Sequence, residues 1–264
     1  MIEDNLQNLN LSPDSQAHLR AFISQVKPGT LNFIAARPAC GKTSFSVNLA
    51  AKYAIEGRQP TCYISLEYGS EVITKLLASA LSCMPVSKID KGNLSGQDFT
   101  HLLEGVGRLH DAPFYLIDSR HYHIEKLAED IHRLKVEQKI EVVFIDYLGL
   151  IASDLSGIDR YSQFITRLRL IAEAEHIAIV GLLQIKRHRG PGLEAHVASQ
   201  LSCLGFDRHP TLFVVKTTNE EGKNAVQPHL RLFNSALPVI RPEEMTESFN
   251  PKRQSKKEIY SPLP

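Results

Sequence analysis

The sequence predicts an α/β domain with a mainly parallel twisted sheet, helices on both faces and an antiparallel extension towards its C-terminal end. Short apolar runs alternate with amphipathic helical patterns from residue 31 to residue 183, which is typical of βαβ units. The runs are apolar at consecutive positions, as expected for parallel strands that are buried on both faces. Beyond Gln184 the pattern changes, and Leu212–Lys216 and His229–Phe233 predict two antiparallel strands around a polar loop.

The predicted elements divide the chain into three parts. Residues 1–30 predict a polar lead-in with one helix over 16–26, residues 31–240 predict the α/β domain, and residues 241–264 predict a mobile polar tail. Within the domain we expect strands at 31–35, 61–65, 114–118, 142–146 and 177–183, helices at 44–56, 70–82, 97–109, 123–138 and 160–175, and a polar connector over 88–96.

The composition is that of an ordinary globular domain, with 43% apolar and 22% charged residues in a chain of 264. A formal net charge of +1 excludes a global attraction to nucleic acid, so any such binding requires a local basic patch. The four cysteines lack metal-type spacing, and we expect them to be buried reduced thiols. Nothing resembles a signal peptide or a membrane span, so we expect a cytoplasmic protein.

One stretch carries a chemical signature. The loop Ala36 to Thr43 reads Ala-Arg-Pro-Ala-Cys-Gly-Lys-Thr, follows an apolar strand and precedes a helical pattern. In a phosphate-binding loop of this layout, backbone N–H groups cradle the phosphates, Lys42 reaches the β- and γ-phosphates, and the Thr43 hydroxyl holds Mg²⁺. Ala36 replaces the first glycine of that pattern. The Gly-Lys-Thr tripeptide alone fits an ordinary strand-to-helix turn equally well, so the decision depends on the rest of the chain.

Three polar residues lie where predicted strands end. Asp146 closes the 142–146 strand, where a nucleotide hydrolase usually places its Mg²⁺-binding carboxylate; the alternative is a turn or cap residue. Glu67 follows the 61–65 strand and would face the γ-phosphate if that strand neighbours the phosphate-loop strand; otherwise it is an exposed loop residue. Gln184 is either a γ-phosphate sensor or a plain strand-end amide. Together they would converge on the edge of a parallel sheet where ligands bind.

Four motifs in this order resemble the ATPase domain of DnaB-type replicative DNA helicases, within the RecA-like superfamily of P-loop NTPases. They are Ala-Ala-Arg-Pro-Ala-Cys-Gly-Lys-Thr at 35–43, Ser-Leu-Glu at 65–67, Phe-Ile-Asp-Tyr-Leu-Gly-Leu at 144–150, and the strand that ends at Gln184. The resemblance covers residues 18 to 240, approximately, and the alanine at the first glycine position is itself a feature of that family.

The resemblance implies ATP and Mg²⁺ as cofactors and a role for each motif. Lys42 and Thr43 would bind phosphate and Mg²⁺, and Asp146 would be the Walker B acid that holds Mg²⁺ through water. Glu67 would be the catalytic base and Gln184 the γ-phosphate sensor. The other loop residues would contact the nucleotide: Ala36, Arg37, Pro38, Ala39, Cys40, Gly41 and Ser44. Because the family forms six-membered rings around single-stranded DNA, we also expect a hexamer, a DNA ligand and replication partner proteins.

The sequence departs from the family in three respects, one of which is a shorter loop after Gln184. We expect no counterpart of the family's N-terminal domain in this chain. In addition, the family's Lys-x-Arg-Asn-Gly pattern, whose arginine enters the neighbouring ATP site, aligns with Lys216-Thr217-Thr218-Asn219-Glu220. Thr218 therefore stands at the arginine-finger position, where a cation is worth on the order of a thousandfold in turnover. Lys216 matches the pattern, and Lys223 or Arg231 are candidates to replace the finger.

A basic cluster follows Gln184 directly. It comprises Lys186, Arg187, His188 and Arg189, and it predicts salt-dependent, sequence-indifferent contacts with single-stranded DNA. The alternative is a solvated loop. No aromatic residue interleaves with the cluster, so base stacking is not predicted there.

Two functional hypotheses follow. The first is an ATP-dependent helicase or translocase of the DnaB-like type, which binds single-stranded DNA and hydrolyses ATP as a ring. The second is a nucleotide-binding accessory or regulatory protein on the same fold with weak or no hydrolysis, motivated by Thr218, the missing N-terminal domain and the near-neutral charge. A recombinase-type RecA relative is disfavoured by the Arg-Pro loop and by Ser-Leu-Glu.

Overall fold

A computed structural model of the chain describes residues 11–119, 122–152, 160–185, 209–216 and 228–233. Its strands are β1 (Leu31–Ala36), β2 (Thr61–Ser65), β3 (Phe114–Asp118), β4 (Val142–Asp146), β5 (Ala178–Gln184), β6 (Thr211–Lys216) and β7 (Pro228–Phe233). Its helices are α1 (Pro13–Ile23), α2 (Lys42–Ile55), α3 (Ser70–Ser82), α4 (Val86–Lys91), α5 (Gly96–His110), α6 (Ile124–Gln138), α7 (Gly149–Ala152) and α8 (Arg160–Glu175).

The strands join in one sheet in the order β3-β2-β4-β5-β1-β6-β7. The pairs among β1 to β5 and the pair of β1 with β6 are parallel. The last pair, β6 with β7, is antiparallel, with Val214 opposite Leu230. The structure therefore confirms the predicted fold class, including the antiparallel extension.

Both faces of the sheet are covered because alternate residues of each strand point to opposite sides. On one side Phe33 belongs to a core that includes residues of α6 and α8, such as Leu127 and Leu168. On the other side Ile34 belongs to a core that includes Phe22 of α1 and Phe45 of α2. These apolar layers hold the sheet rigid, so that residues at its carboxyl edge are presented from a fixed frame.

The helix boundaries differ from the predicted ones where capping decides them. Helix α1 starts at Pro13 rather than residue 16, because the Ser12 hydroxyl caps it by accepting from the Ser15 backbone N–H at 3.3 Å. The predicted connector over 88–96 overlaps the short helix α4, which ends at Gly92 in a left-handed conformation. The sequence pattern missed α4 because a helix of 6 residues is too short to show a periodicity.

The cysteine expectation is correct for one residue and wrong for another. Cys62 is buried in β2, and burial, reinforced by the nearby Asp130 carboxylate, raises the pKa of its thiol to about 12. Cys83 is exposed, since it caps the end of α3 in a left-handed conformation and lies outside the apolar face of that helix.

A buried carboxylate joins α6 to the segment that precedes it. Asp130 accepts hydrogen bonds from Tyr122 at 2.5 Å, from Lys126 at 3.1 Å and from Arg133 at 2.7 Å. Burial alone would raise the pKa of this carboxyl group, but these donors outweigh it and the pKa is lowered. Asp130 therefore stays ionised and acts as a structural anchor.

Among the described helices, none has the length and apolarity needed to cross a membrane.

Candidate functional site

The sheet register brings the predicted site residues to one edge. Ser65 at the end of β2 lies opposite Asp146 at the end of β4, and Ala36 at the end of β1 lies opposite Gln184 at the end of β5. The condition set for Glu67, that β2 neighbours β1, is not met, because β4 and β5 lie between these two strands. Glu67 nevertheless lines the same cleft as the loop, since the loops after these parallel strands emerge on the same side.

The loop between β1 and α2 presents backbone N–H groups to this cleft. Gly41, immediately before α2, has φ 77°, a left-handed conformation that favours glycine, and a Cβ built there would meet nothing within 4 Å. Glycine is therefore required for its backbone conformation rather than for space. Because Gly41 has no side chain to cap the helix, the first N–H groups of α2 are available to an anion, and the helix dipole favours negative charge there.

Lys42 and Thr43 both contact Asp146, although about a hundred residues separate them in sequence. The Lys42 ammonium forms an ion pair with Asp146 Oδ1, and the Thr43 hydroxyl donates to Asp146 Oδ2 at 2.6 Å. The Asp146 side chain is fully buried, and only 9% of the Lys42 side chain is exposed. A buried carboxylate requires such a partner, so the pair accounts for the charge balance of the site.

Two further hydroxyl groups extend this cluster, and sequence reasoning missed both. Tyr63, fully buried in β2, places its hydroxyl 3.2 Å from Asp146 Oδ2 and 2.8 Å from Ser46 Oγ. Burial and the Asp146 charge raise the pKa of the Tyr63 phenol well above its ordinary value, so it remains protonated. A tyrosine inside an apolar strand was the available signal, because a buried phenol needs a hydrogen-bond partner.

The segment after Asp146 is also positioned by packing. The Lys42 ammonium lies 5.3 Å from the centre of the Tyr147 ring, which adds a cation–π contact. The Leu148 backbone N–H donates to the Leu182 carbonyl oxygen of β5 at 3.0 Å. A methyl group on Gly181 would overlap the Leu148 side chain, so a glycine in β5 allows this segment to fold onto the sheet.

Glu67 is placed by the backbone around it. The Leu66 N–H donates to the Asp146 carbonyl oxygen at 2.7 Å, and the Ser65 hydroxyl donates to the Tyr68 carbonyl oxygen at 2.6 Å. Glu67 itself is exposed. Partial burial of the Tyr68 ring, reinforced by the Glu67 carboxylate, raises the pKa of the Tyr68 phenol. The segment thus carries an accessible carboxylate on a fixed turn beside Asp146.

A cleft of about 340 Å³ lies at this edge of the sheet, and its volume is within the range of small-ligand sites. Its lining comes from the phosphate loop, the segment after β2, one face of α3 and the end of β5: Arg37, Pro38, Ala39, Cys40, Gly41, Lys42, Thr43, Ser44, Glu67, Tyr68, Val72, Leu76 and Gln184. The Thr43 hydroxyl and the Asp146 carboxylate are hard oxygen ligands of the kind that Mg²⁺ prefers, and they lie within 2.6 Å of each other. This donor set fits a magnesium–nucleotide complex.

The model of the family described as the DnaB-like helicase C terminal domain matches residues 15–192. The chain belongs to this family. The predicted resemblance to DnaB-type helicases is thereby confirmed.

Relatives of known name agree with this assignment. A protein named Replicative DNA helicase DnaB from Treponema pallidum is 36% identical over 192 residues, which is 67% of this chain and 44% of that protein. A Chlamydia muridarum protein named Probable plasmid replicative DNA helicase is 33% identical over 162 residues, 60% of this chain and 36% of that protein. The chain therefore spans less than half the length of these curated relatives.

Solved structures confirm the fold of the DnaB-like domain. One that is described as an ATPase domain superimposes with a TM-score of 0.68 at 20% identity, covering 90% of this chain and 88% of that one. A DnaB-like replicative helicase, studied with its interactions with primase, gives a TM-score of 0.66 at 19% identity, covering 84% of this chain and 61% of that one.

The structure describes only some of the remaining candidate residues of this DnaB-like chain. Thr218, Lys223 and the basic cluster of Lys186, Arg187 and Arg189 lie outside the described residues. The backbone of Lys216 ends β6, and that of Arg231 lies opposite Phe213 in β7. Their roles at a neighbouring site or on DNA stay predictions.

A further carboxylate at the same edge has a structural role. Asp118, at the end of β3, accepts from the Ser70 backbone N–H at 2.6 Å and so caps α3. This bond lowers the pKa of the Asp118 carboxyl group. Its position at the strand end follows from capping rather than from chemistry in the cleft.

Proposed function

We propose that this chain is the ATP-hydrolysing domain of a DnaB-like replicative helicase, acting on single-stranded DNA. The observation that carries the proposal is the cluster of Lys42, Thr43 and Asp146 beside Glu67 at the carboxyl edge of the sheet. Membership of the DnaB-like family supports it independently.

The residues have distinct roles in this proposal. The N–H groups at the start of α2 bind phosphate oxygens, and Lys42 leaves Asp146 to pair with the β- and γ-phosphates. Thr43 and Asp146 hold Mg²⁺, with Asp146 acting through bound water; when present, the ion neutralises negative charge on the phosphates. Glu67 orients the attacking water and accepts its proton, for which its exposure to the cleft is suitable.

Gln184 and the chain beyond it connect the nucleotide to DNA in this proposal. Its amide is positioned at the end of β5 and borders the cleft, so it is suited to sense the γ-phosphate by hydrogen bonding. The basic cluster that follows it supplies sequence-indifferent contacts to the phosphates of single-stranded DNA. In a hexameric ring, Lys216, Lys223 or Arg231 would complete the neighbouring site.

A second candidate function is favoured by one specific observation. Thr218 aligns with the arginine-finger position in the predicted resemblance, and a threonine hydroxyl does not supply a delocalised charge. In that case the chain binds ATP to set its conformation or its assembly with a partner and turns it over slowly.

Steady-state ATP hydrolysis with and without single-stranded DNA, combined with mass in solution with nucleotide, tests the proposal. We expect Mg²⁺-dependent turnover that DNA stimulates, in a particle of hexamer size. Binding of ATP without DNA-stimulated turnover would favour the accessory function. A chain that fails to bind ATP in the presence of Mg²⁺ would refute both.

A further inference from the structure

The buried hydroxyls behind the phosphate loop form a chain of contacts that the nucleotide site does not itself require. Ser46 Oγ lies 3.0 Å from the Thr43 carbonyl oxygen and 2.8 Å from the Tyr63 hydroxyl, which in turn lies 3.2 Å from Asp146 Oδ2. Ser46 and Tyr63 are both fully buried. These hydrogen bonds thus link the first turn of α2, the middle of β2 and the end of β4.

Counting protons gives the direction of these hydrogen bonds. Each hydroxyl carries one proton, and an ionised Asp146 only accepts. If Tyr63 donated to Ser46, no proton would lie between the phenol oxygen and the buried carboxylate oxygen. A hydrogen bond to a charged acceptor is about twice as strong as one to a neutral acceptor, so Tyr63 donates to Asp146. The Ser46 hydroxyl then donates a bifurcated hydrogen bond to the Tyr63 hydroxyl oxygen and to the Thr43 carbonyl oxygen.

We propose that Tyr63, oriented by Ser46, is a positioning residue that holds Asp146 in its metal-binding orientation when nucleotide is bound. The inference rests on the proposed function, because it concerns the state in which the site holds magnesium and ATP. Tyr63 touches neither ligand in this proposal and acts only through Asp146.

The reason lies in the other two partners of Asp146. Lys42 and Thr43 hold this carboxylate in the structure, and both are the residues that turn to the phosphates and to Mg²⁺ on binding. Tyr63 is fully buried and is not among the described residues that line the cleft, and its ring stacks on Phe144 with ring centres 6.2 Å apart and an interplanar angle of 14°. The Tyr63 hydroxyl therefore stays beside Asp146 when Lys42 and Thr43 turn to the nucleotide and Mg²⁺, and the Asp146 carboxylate keeps its orientation.

The same tyrosine connects the two carboxylates of the site. Tyr63 lies four positions before Glu67 along one short segment, whose Leu66 N–H bonds to the Asp146 carbonyl oxygen. Holding the Asp146 side chain from β2 therefore couples the orientation of the metal-binding acid to the strand that carries the proposed base.

The test replaces Tyr63 by phenylalanine, which removes the hydroxyl and keeps the stacked ring. A fluorescent non-hydrolysable ATP analogue, mant-AMPPNP, is titrated into the chain with saturating Mg²⁺ and again with EDTA. We expect Tyr63→Phe to weaken binding about tenfold with Mg²⁺ and to leave binding in EDTA unchanged. Ser46→Ala should give a smaller loss of about threefold, because the phenol still donates but is less well oriented.

Tyr53→Phe is the matched control. Tyr53 is also a buried tyrosine packed on Phe144, with ring centres 5.9 Å apart, and it is not one of the groups that contact Asp146 in the described site. We expect this variant to bind the analogue as the wild type does under both conditions.

The outcomes separate the inference from the function on which it rests. If the wild type gains no affinity from Mg²⁺, the proposed function itself is wrong. If the wild type gains affinity and Tyr63→Phe retains the whole gain, the positioning role is overturned. An equal loss with Mg²⁺ and with EDTA, or the same loss in Tyr53→Phe, would also overturn it, because a general packing defect would then explain the result.

Discussion

The buried pair of Lys42 and Asp146 makes a quantitative prediction for the nucleotide-free protein. Asp146→Asn retains the shape of the side chain but leaves the Lys42 ammonium, of whose side chain only 9% is exposed, without its counter-charge. Removing one member of a buried pair costs about 3–5 kcal/mol. Lys42 borders the open cleft, where its flexible stem and water relieve part of the penalty. We therefore expect a loss of about 2–3 kcal/mol in the free energy of unfolding.

The double variant Lys42→Met with Asp146→Asn removes both charges of the buried pair, so that no unpaired charge is left. It should be more stable than the sum of the two single losses predicts, by about 1–2 kcal/mol. Urea unfolding followed by far-UV circular dichroism is the suitable assay, because the chain contains no tryptophan.

An exposed ion pair serves as the control for this cycle. Lys75 lies 2.9 Å from Glu71, whose side chain is 81% exposed, so Glu71→Gln should leave the urea midpoint unchanged. Two results would refute the reasoning: an Asp146→Asn variant within about 0.5 kcal/mol of the wild type, or a double variant whose loss equals the sum of the single losses.

Four further predictions concern single substitutions. Glu67→Gln should bind ATP normally and lower turnover by at least about a hundredfold. The control variant Glu71→Gln should hydrolyse ATP as the wild type does. Normal turnover in Glu67→Gln would exclude Glu67 as the base. Within α5, Gly107→Ala should stabilise the fold by about 0.5–1 kcal/mol in urea unfolding, because an added Cβ meets nothing within 4 Å. Gly105→Ala should destabilise it by about 1 kcal/mol, since its Cβ would lie 3.1 Å from the α3 backbone; a gain in stability there would contradict the packing. Asp130→Asn should lower the free energy of unfolding by about 2 kcal/mol at pH 7. The difference from the wild type should shrink as the pH falls below about 4, because the lowered pKa of Asp130 contributes stability only while the carboxylate is ionised. A pH-independent difference would contradict this.

Much of the fold could be predicted because its signals are local. The strand 142–146 and the helix from residue 70 to residue 82 were predicted with the bounds that the structure shows. Buried parallel strands are short apolar runs, and amphipathic helices repeat with their own period, so neither needs long-range information. The short helix α4 escaped prediction for the same reason, since it offers too few residues for a period.

The candidate site divides in a similar way. Lys42, Thr43, Asp146, Glu67 and Gln184 could be named because each ends or follows a strand, and the ends of parallel strands share one edge. Ser46 and Tyr63 could not be named, because nothing local relates a serine on α2 to a tyrosine on β2. Ser46 meets Tyr63 only once α2 packs on β2, and Tyr63 meets Asp146 only once β2 and β4 pair.

The sequence by itself therefore determined the fold class, the strand-to-helix loop at 36–43 and the set of residues at the sheet edge, since these depend on periodicity and on position along one strand or turn. The tertiary structure decided the strand order, which places β4 and β5 between β1 and β2 and so answers the question that the sequence left open about Glu67. It also decided which hydroxyls reach the buried Asp146 carboxylate. The physical reason is that a buried charge needs hydrogen-bond donors from the elements packed around it. Which elements these are depends on how the sheet is assembled.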